Sequence, residues 1–390
     1  MSEKLSALEA HRAWKGKLEI KPRCNVSTRA ELALAYTPGV ADACLEIKAD
    51  PKEAYELTRK WNSVAVISDG SAVLGLGNIG ALASMPVMEG KCALFKVFGG
   101  VDAVPLVLGT QDTEAIISVI KAVAPTYGGI NLEDISAPRC FEIERRLIEE
   151  LDIPVFHDDQ HGTAIVVLAG LINAFKVVNK PLKSARIVIN GPGAAGCAIA
   201  KLLQSYGVGE IILCDQHGTL VNGRENMDWS KQELASLTNP RGVTGGLEAA
   251  LSGADAFIGV SVANALKPEY IRFMAERPVV FAMANPVPEI LPDEAKAAGA
   301  AVAATGRSDY PNQINNLLAF PGIFRGVLDS GARRITVDMK LAAAQAIADI
   351  EPEGGLSAES IIPTALDARV PKAVAKAVYL CKAREGRDGK

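Results

Sequence analysis

"IVINGPGAAGCAIAKLL", residues 187–203, decides the fold. Its apolar start reads as a buried strand, Gly191-x-Gly193-x-x-Gly196 as a tight turn, and the small residues that follow as a helix. The glycines permit the turn, let a pyrophosphate approach the backbone and let the helix pack close on the strand, so that the N–H groups opening the helix meet the phosphates. A bare glycine pattern is weak evidence and also serves tight packing in a doubly wound sheet. Here, however, the next strand, "EIILCD", ends in Asp215, 24 residues after Gly191, where an acidic side chain hydrogen-bonds the adenosine ribose hydroxyls. The stretch predicts a dinucleotide-binding unit. Asp215 favours NAD over NADP, because a carboxylate repels a 2′-phosphate and Gln216-His217 provide no arginine to neutralise one.

Working outward, "ARIVING", "EIILCD", "ADAFIGVS", "PVVFAMANP" and "AAVAATG" read as five short strands of a parallel sheet buried on both faces. Upstream, "VAVISDG", "AVPLVLGT" and "DIPVFHD" are also buried strands, "RCFEIERRLIEEL" is a helix with a charged face, and the polar stretch up to about Lys60 is helical. The fold class is α/β in two domains, an N-terminal α/β catalytic domain and a doubly wound Rossmann domain. The boundary lies near residue 160, where the strand-helix rhythm restarts.

At 390 residues the chain suits two domains, and 49% hydrophobic with 22% charged residues is a globular composition. A net charge of -4 with dispersed Lys and Arg offers no basic stripe for nucleic acid. The charged start, "MSEKLSALEAHRAWKGKLEI", lacks the apolar core of an export signal, so the protein reads as cytoplasmic. The longest apolar run, "TAIVVLAGLINAF", falls short of the roughly 18 residues of a membrane span. Seven scattered cysteines without a CxxC pair read as reduced structural thiols.

Two acidic pairs carry the chemistry. Glu133 and Asp134 follow one apolar run, Asp158 and Asp159 another, and ligand chemistry in parallel α/β sheets gathers at the carboxyl ends of strands. Singly, each pair is a helix cap or a solvated turn. Brought together, four carboxylates repel unless a cation neutralises them, and an all-oxygen set suits Mg²⁺ or Mn²⁺. Lys91 stands among small and apolar residues, where burial lowers a lysine pKa toward the range of a general base; a snorkelling surface lysine is the plainer alternative. Tyr36 precedes a Pro-Gly turn in an apolar neighbourhood, where a phenol usually finds a core hydrogen bond.

"AYTPGVA" (35–41), "GLGNIG" (75–80), "MPVMEGKCALFKVFGGVDAVP" (85–105), "NLEDI" (131–135), "FHDDQHGTA" (156–164), "GPGAAG" (191–196), "FAMANP" (281–286) and "INNLLAFPG" (314–322) follow in the order of the malic enzymes. Over residues 25 to 340 the chain resembles the short-subunit bacterial and archaeal branch of that family. The resemblance implies oxidative decarboxylation of L-malate to pyruvate and CO₂ with a nicotinamide cofactor and Mg²⁺ or Mn²⁺. It also implies residues 1–160 as the malate- and metal-binding domain, 161–315 as the NAD domain, and 316–390 as a segment returning to the first domain; by its own alanine- and charge-rich composition, 341–390 reads as helices that could cover that domain.

By position, Tyr36 would be general acid and Lys91 general base, with Asp158 adjusting the lysine. Glu133, Asp134 and Asp159 would hold the metal. Asn285 and Asn316 would touch substrate or nicotinamide, and Ser261 would join the glycines and Asp215 at the cofactor. One place departs from the pattern: the long-subunit branch has a substrate-gripping arginine where this chain has Ala72, so Arg29, Arg307 or a residue of a second subunit would replace it. A homodimer or larger homo-oligomer with shared active sites is expected on that ground. The end at residue 390 leaves no room for the acyltransferase-like extension of multidomain forms. Malolactic conversion of malate to lactate, or a non-catalytic NAD-binding regulatory role, are the alternatives.

Overall fold

The computed structural model describes residues 6–73 and 75–388. Its first sheet contains β1 (Ser63–Ser68), β2 (Asp102–Val107), β3 (Gly129–Leu132) and β4 (Val155–His157), all parallel, in the order β2-β1-β3-β4. The helices Ala81–Gly99, Thr113–Val123 and Arg139–Glu150 make the crossovers. Sequence patterning explains their packing: Ile116, Ile117 and Ile120 fall on one face of the second helix and are buried, and Asp112 caps its start by accepting from the Ala115 N–H at 2.8 Å. Cover on both faces is why Val64, Ala65, Val66 and Ile67 are fully buried in succession.

The chain leaves β1 for β2 on one side and then crosses back to β3 on the other. The carboxyl ends of β1 and β3 therefore flank the point where strand order reverses, which is where such sheets form a crevice. Glu133 and Asp134 follow β3 directly, and Asp158 and Asp159 follow β4.

The second sheet holds β5 (Arg186–Asn190), β6 (Glu210–Asp215), β7 (Gly218–Thr219), β8 (Ala256–Gly259), β9 (Val279–Ala282) and β10 (Val302–Thr305), in the order β10-β9-β8-β5-β6-β7. Five strands are parallel, and β7 is a two-residue antiparallel edge folded back on β6. Order reverses between β5 and β8, where Asn190 Nδ2 donates to Ser261 Oγ at 2.9 Å.

The helix Asp158–Val177 joins the sheets, and one continuous apolar core runs through it, from Val64, Phe95 and Phe156 to Leu168, Ile187 and Phe281. "TAIVVLAGLINAF" is thus part of a longer element than its apolar run suggests. The helix has 20 residues and is long and apolar enough to cross a membrane, yet 78% of its most apolar window is buried inside the protein. Its apolarity serves the core.

Beyond the second sheet, the helix Phe320–Ser330 packs on Ala81–Gly99 and on Arg369–Asp388, which packs in turn on Val337–Ala348, and Val337–Ala348 lies against Asp158–Val177. The N-terminal helices Ala7–Trp14, Arg29–Ala35, Val40–Ala49 and Ala54–Leu57 bury no residue and lie on the outside. Lys17 ties this stretch down, its Nζ donating to the Pro86 carbonyl at 2.8 Å. All seven cysteines are free thiols, with Cys24 and Cys44 exposed.

Candidate active site

Lys91 projects from the buried face of the helix Ala81–Gly99 and is 7% exposed. Its Nζ donates to Glu133 Oε1 at 2.9 Å and to Asp158 Oδ2 in a shorter ion pair. The Phe320 ring lies beneath the ammonium, 4.0 Å from Nζ to the ring centroid. Asn131 Nδ2 donates to the other Glu133 oxygen at 2.9 Å, and Asn316 Nδ2 donates to Asp158. Residues 91, 133, 158 and 316 thus meet from four separate elements. Asp159 Oδ2 accepts from the Asp134 N–H at 2.7 Å. Asp158 and Asp159 form the first turn of their helix, where the unsatisfied N–H groups favour negative charge.

Burial opposes the Lys91 charge, but Asp158 and Glu133 outweigh it and the lysine pKa is raised. The expectation that apolar surroundings lower it is corrected by two carboxylates 42 and 67 positions away in sequence. Burial also raises the pKa of Glu133, Asp158 and Asp159. At each the Lys91 charge pulls the other way, and neighbouring carboxylates add to the rise at Glu133 and Asp158.

One ammonium faces the carboxylates of Glu133, Asp158 and Asp159, and Asp134 follows Glu133 in the same loop. This all-oxygen, undercompensated set suits a hard divalent cation. As the side chains stand, no three Asp, Glu, His or Cys groups among the described residues are gathered as a metal-holding cluster. Lys91 lies between Glu133 and Asp158, and Asp159 is turned to the Asp134 backbone.

A second network borders this centre and was not legible in the sequence. Arg139 Nη2 donates to the buried Asp69 at 2.9 Å and to Ser71 Oγ at 3.1 Å, and Ser71 Oγ accepts from the Ser136 N–H at 2.9 Å. Ala72 N–H donates to the Asp134 carbonyl at 3.0 Å. The loop after β1 is laced to the loop after β3, and the place of the family arginine abuts an acidic residue. Leu74, which marks that place in the motif, lies outside the described residues. In sequence Arg139 merely joins the charged face of an amphipathic helix.

Tyr36 is not brought into this network. It caps the helix Arg29–Ala35 and is 67% exposed, and no described hydrogen bond links its hydroxyl to the Lys91 centre. Arg29 shares its exposed segment, and Arg307 pairs with Asp309 at 2.6 Å.

The dinucleotide half is built at the switch of the second sheet. Gly191 has φ +110°, and a Cβ there would lie 2.4 Å from the Val260 carbonyl; a Cβ on Gly196 would lie 1.9 Å from the Gly191 carbonyl. Gly193 faces open space, and no side chain caps the helix Ala194–Tyr206, which leaves its first N–H groups available to a phosphate. Ser261 donates from N and Oγ to the fully buried Glu289, at 2.7 and 3.0 Å, and the Ala284 N–H donates to the same carboxylate. Glu289, also not singled out from sequence, thereby fixes the loops after β8 and β9. The Asn285 carbonyl abuts Gly75 of the first domain: a Cβ on that glycine would sit 2.2 Å away.

At Asp215, Gln216 and His217 supply no arginine, but one arrives from further along the chain. Arg224, nine residues on, returns along β7 and grips the carboxylate with Nη1 at 2.9 Å and Nη2 at 2.6 Å. Partial burial would raise the Asp215 pKa, but Arg224, the His217 N–H and Lys231 bring it down to about 2.

A glycine-turn sheet joined to a second parallel sheet with a lysine–carboxylate centre defines a two-domain α/β dehydrogenase. The family models "Malic enzyme, N-terminal domain" and "Malic enzyme, NAD binding domain" match residues 15–148 and 160–382. The bifunctional malic/malolactic enzyme of Bacillus subtilis is 54% identical, over 97% of this chain and 92% of its own. The NAD-dependent malic enzyme of Geobacillus stearothermophilus is 57% identical, over 95% and 77%. Relatives named NADP-dependent malic enzyme match as well. The crystal structure of the NAD-dependent malic enzyme from Thermotoga maritima superposes with a TM-score of 0.92 at 50% identity, covering 96% of this chain and 99% of that one. The chain belongs to the malic enzyme family.

Proposed function

We propose that the protein oxidises and decarboxylates L-malate to pyruvate and CO₂ in the cytoplasm, with NAD preferred over NADP. The observation that carries this is the buried Lys91 held between Glu133 and Asp158. Residues 1–160 serve substrate and metal, 161–315 the dinucleotide, and 316–390 return to the first domain.

In this assignment Glu133, Asp134 and Asp159 hold a divalent cation, which when bound supplies Lewis acidity toward a 2-hydroxy acid and its keto product. Lys91 takes the C2 hydroxyl proton, a bound nicotinamide would supply the hydride acceptor, and Asp158 and Asn316 hold the lysine in place. Offsetting the carboxylate charge around Lys91 lowers its pKa from the raised value and frees it to act as a base. Tyr36 then protonates C3 after CO₂ departs. Gly191, Gly193 and Gly196 cradle the pyrophosphate, Asp215 faces the adenosine ribose, and Ser261 and Asn285 border the nicotinamide.

Tyr36 has to reach Lys91 from outside. The first domain exposes Ile20 (91%), Leu34 (79%), Leu82 (85%) and Val97 (74%), apolar side chains that a second copy would cover. A homodimer in which one subunit's Tyr36 completes the partner's lysine centre satisfies both facts. A partner residue would also supply the malate clamp that Ala72 does not.

Absorbance at 340 nm with L-malate and Mn²⁺, using NAD or NADP, with and without EDTA, tests the proposal. Metal-dependent NADH with pyruvate is expected; no signal and no product overturns it. The Bacillus relative's bifunctional name favours one second reading, malolactic conversion on the same site. Lactate formed without net NADH would establish that reading. A regulatory module without chemistry is disfavoured by the intact lysine–carboxylate centre.

A further inference from the structure

Glu289 is fully buried, and only neutral groups satisfy it. Its Oε1 accepts from the Ser261 N–H at 2.7 Å and from Ser261 Oγ at 3.0 Å, and its Oε2 from the Ala284 N–H at 3.0 Å. Ser261 Oγ in turn accepts from Asn190 Nδ2, so each hydrogen along this path points toward Glu289. The buried Glu133, Asp158, Asp69 and Glu144 each face a lysine, arginine or histidine. Among the described residues none pairs with Glu289, whose three donors are two backbone N–H groups and a hydroxyl. They fill its acceptor sites and leave its negative charge uncompensated.

That charge has a fixed place. The Leu266 N–H donates to the Glu289 carbonyl at 3.0 Å, and a Cβ on Gly259 would lie 2.3 Å from the Glu289 carboxyl carbon. The carboxylate is thus pressed against the end of β8 and bonded to residues that follow β8 and β9, at the carboxyl edge of the sheet. This edge, beside the reversal of strand order, is where such a sheet binds its ligand. Gly191 and Asp215 follow or end β5 and β6 on one side of the reversal, and Ser261 and Asn285 follow β8 and β9 on the other.

We propose that Glu289 makes the site select the oxidised cofactor: its charge attracts the cationic nicotinamide ring of NAD and not the neutral ring of NADH. The inference rests on the reading that the glycine turn, Ser261 and Asn285 hold a nicotinamide dinucleotide. Hydride transfer adds a hydrogen nucleus and two electrons to C4 of the ring and cancels the ring's positive charge, so the attraction ends when NADH forms. A charge buried in protein acts on its surroundings with less screening by water and salt than one at the surface. NADH therefore leaves more readily than from a site lined by neutral groups alone.

Direct binding to the full-length protein tests this without turnover, with NAD and AMP followed by calorimetry and NADH by its fluorescence. Wild type should bind NAD at least as tightly as NADH. Glu289→Gln keeps the size of the side chain and an acceptor for Ser261 but removes the charge. It should weaken NAD at least about tenfold while leaving NADH and AMP within about threefold of wild type. Glu289→Asp keeps the charge, and its preference for NAD should stay within about threefold of wild type. NADH held more tightly than NAD by wild type, or an unchanged preference in Glu289→Gln, overturns selection by charge and leaves Glu289 as a brace for the two loops. Failure to bind AMP, NAD and NADH alike overturns the dinucleotide site itself.

Discussion

Lys91 shows how far a neighbourhood in sequence differs from a neighbourhood in space. Its flanking residues are apolar, yet its ammonium ends on Glu133 and Asp158, which keep it charged. Lys91→Ala should lower kcat by about 10²–10⁴-fold, the usual worth of a general base, with NAD affinity measured by titration nearly unchanged. Near-normal turnover would remove Lys91 from the mechanism. Asp215 gives a pH prediction. Its folded pKa of about 2 lies below the ordinary 3.8, so the group stabilises the fold fully above about pH 4 and loses that contribution as the pH falls toward 2. Acid-unfolding curves of Asp215→Asn and wild type should accordingly differ more at about pH 5 than at about pH 2; a gap independent of pH would contradict the ion pair with Arg224.

Among elements, the glycine turn and the Phe320 helix separate binding from stability. Gly193 faces open space, so Gly193→Val should fold with nearly the wild-type Tm and lose NAD binding, because the added side chain fills the place of the phosphate. A Cβ on Gly196 would meet the Gly191 carbonyl at 1.9 Å, so Gly196→Val should lower the Tm as well. Equal Tm values for the two would refute this division. Phe320 packs against Phe95 with ring centroids 4.7 Å apart and lies under Lys91. Truncating it in Phe320→Ala should cost about 3–5 kcal/mol in denaturant unfolding, the range for a buried aromatic, and should reduce activity by loosening the lysine. The turn was legible from sequence because its requirement is local: a backbone conformation and a close approach that only glycine allows. The Arg224 grip on Asp215 was not, because the intervening edge strand, two residues long, carries no periodic signal.

For the whole molecule, the proposed homodimer is tested through Tyr36, which is 67% exposed and outside the Lys91 centre. Mixing inactive Lys91→Ala and Tyr36→Phe proteins should recover activity as subunits exchange, up to about a quarter of wild type if they assort at random into dimers with independent sites. No recovery in a verified mixed dimer would place both residues of a site in one chain. By itself the sequence determined the α/β class, the dinucleotide turn, the family and the acidic pairs, since strand burial, glycine turns and ordered motifs are written in short contiguous segments. Only the tertiary structure decided that Lys91 stays charged, that Asn316 reaches Asp158, that Glu289 fixes the Ser261 loop and that Asp215 is saturated by Arg224 and Lys231. These depend on which side chains the two sheets and their linking helix bring within hydrogen-bond distance, and through-space electrostatics is set by that distance, whatever the separation along the chain.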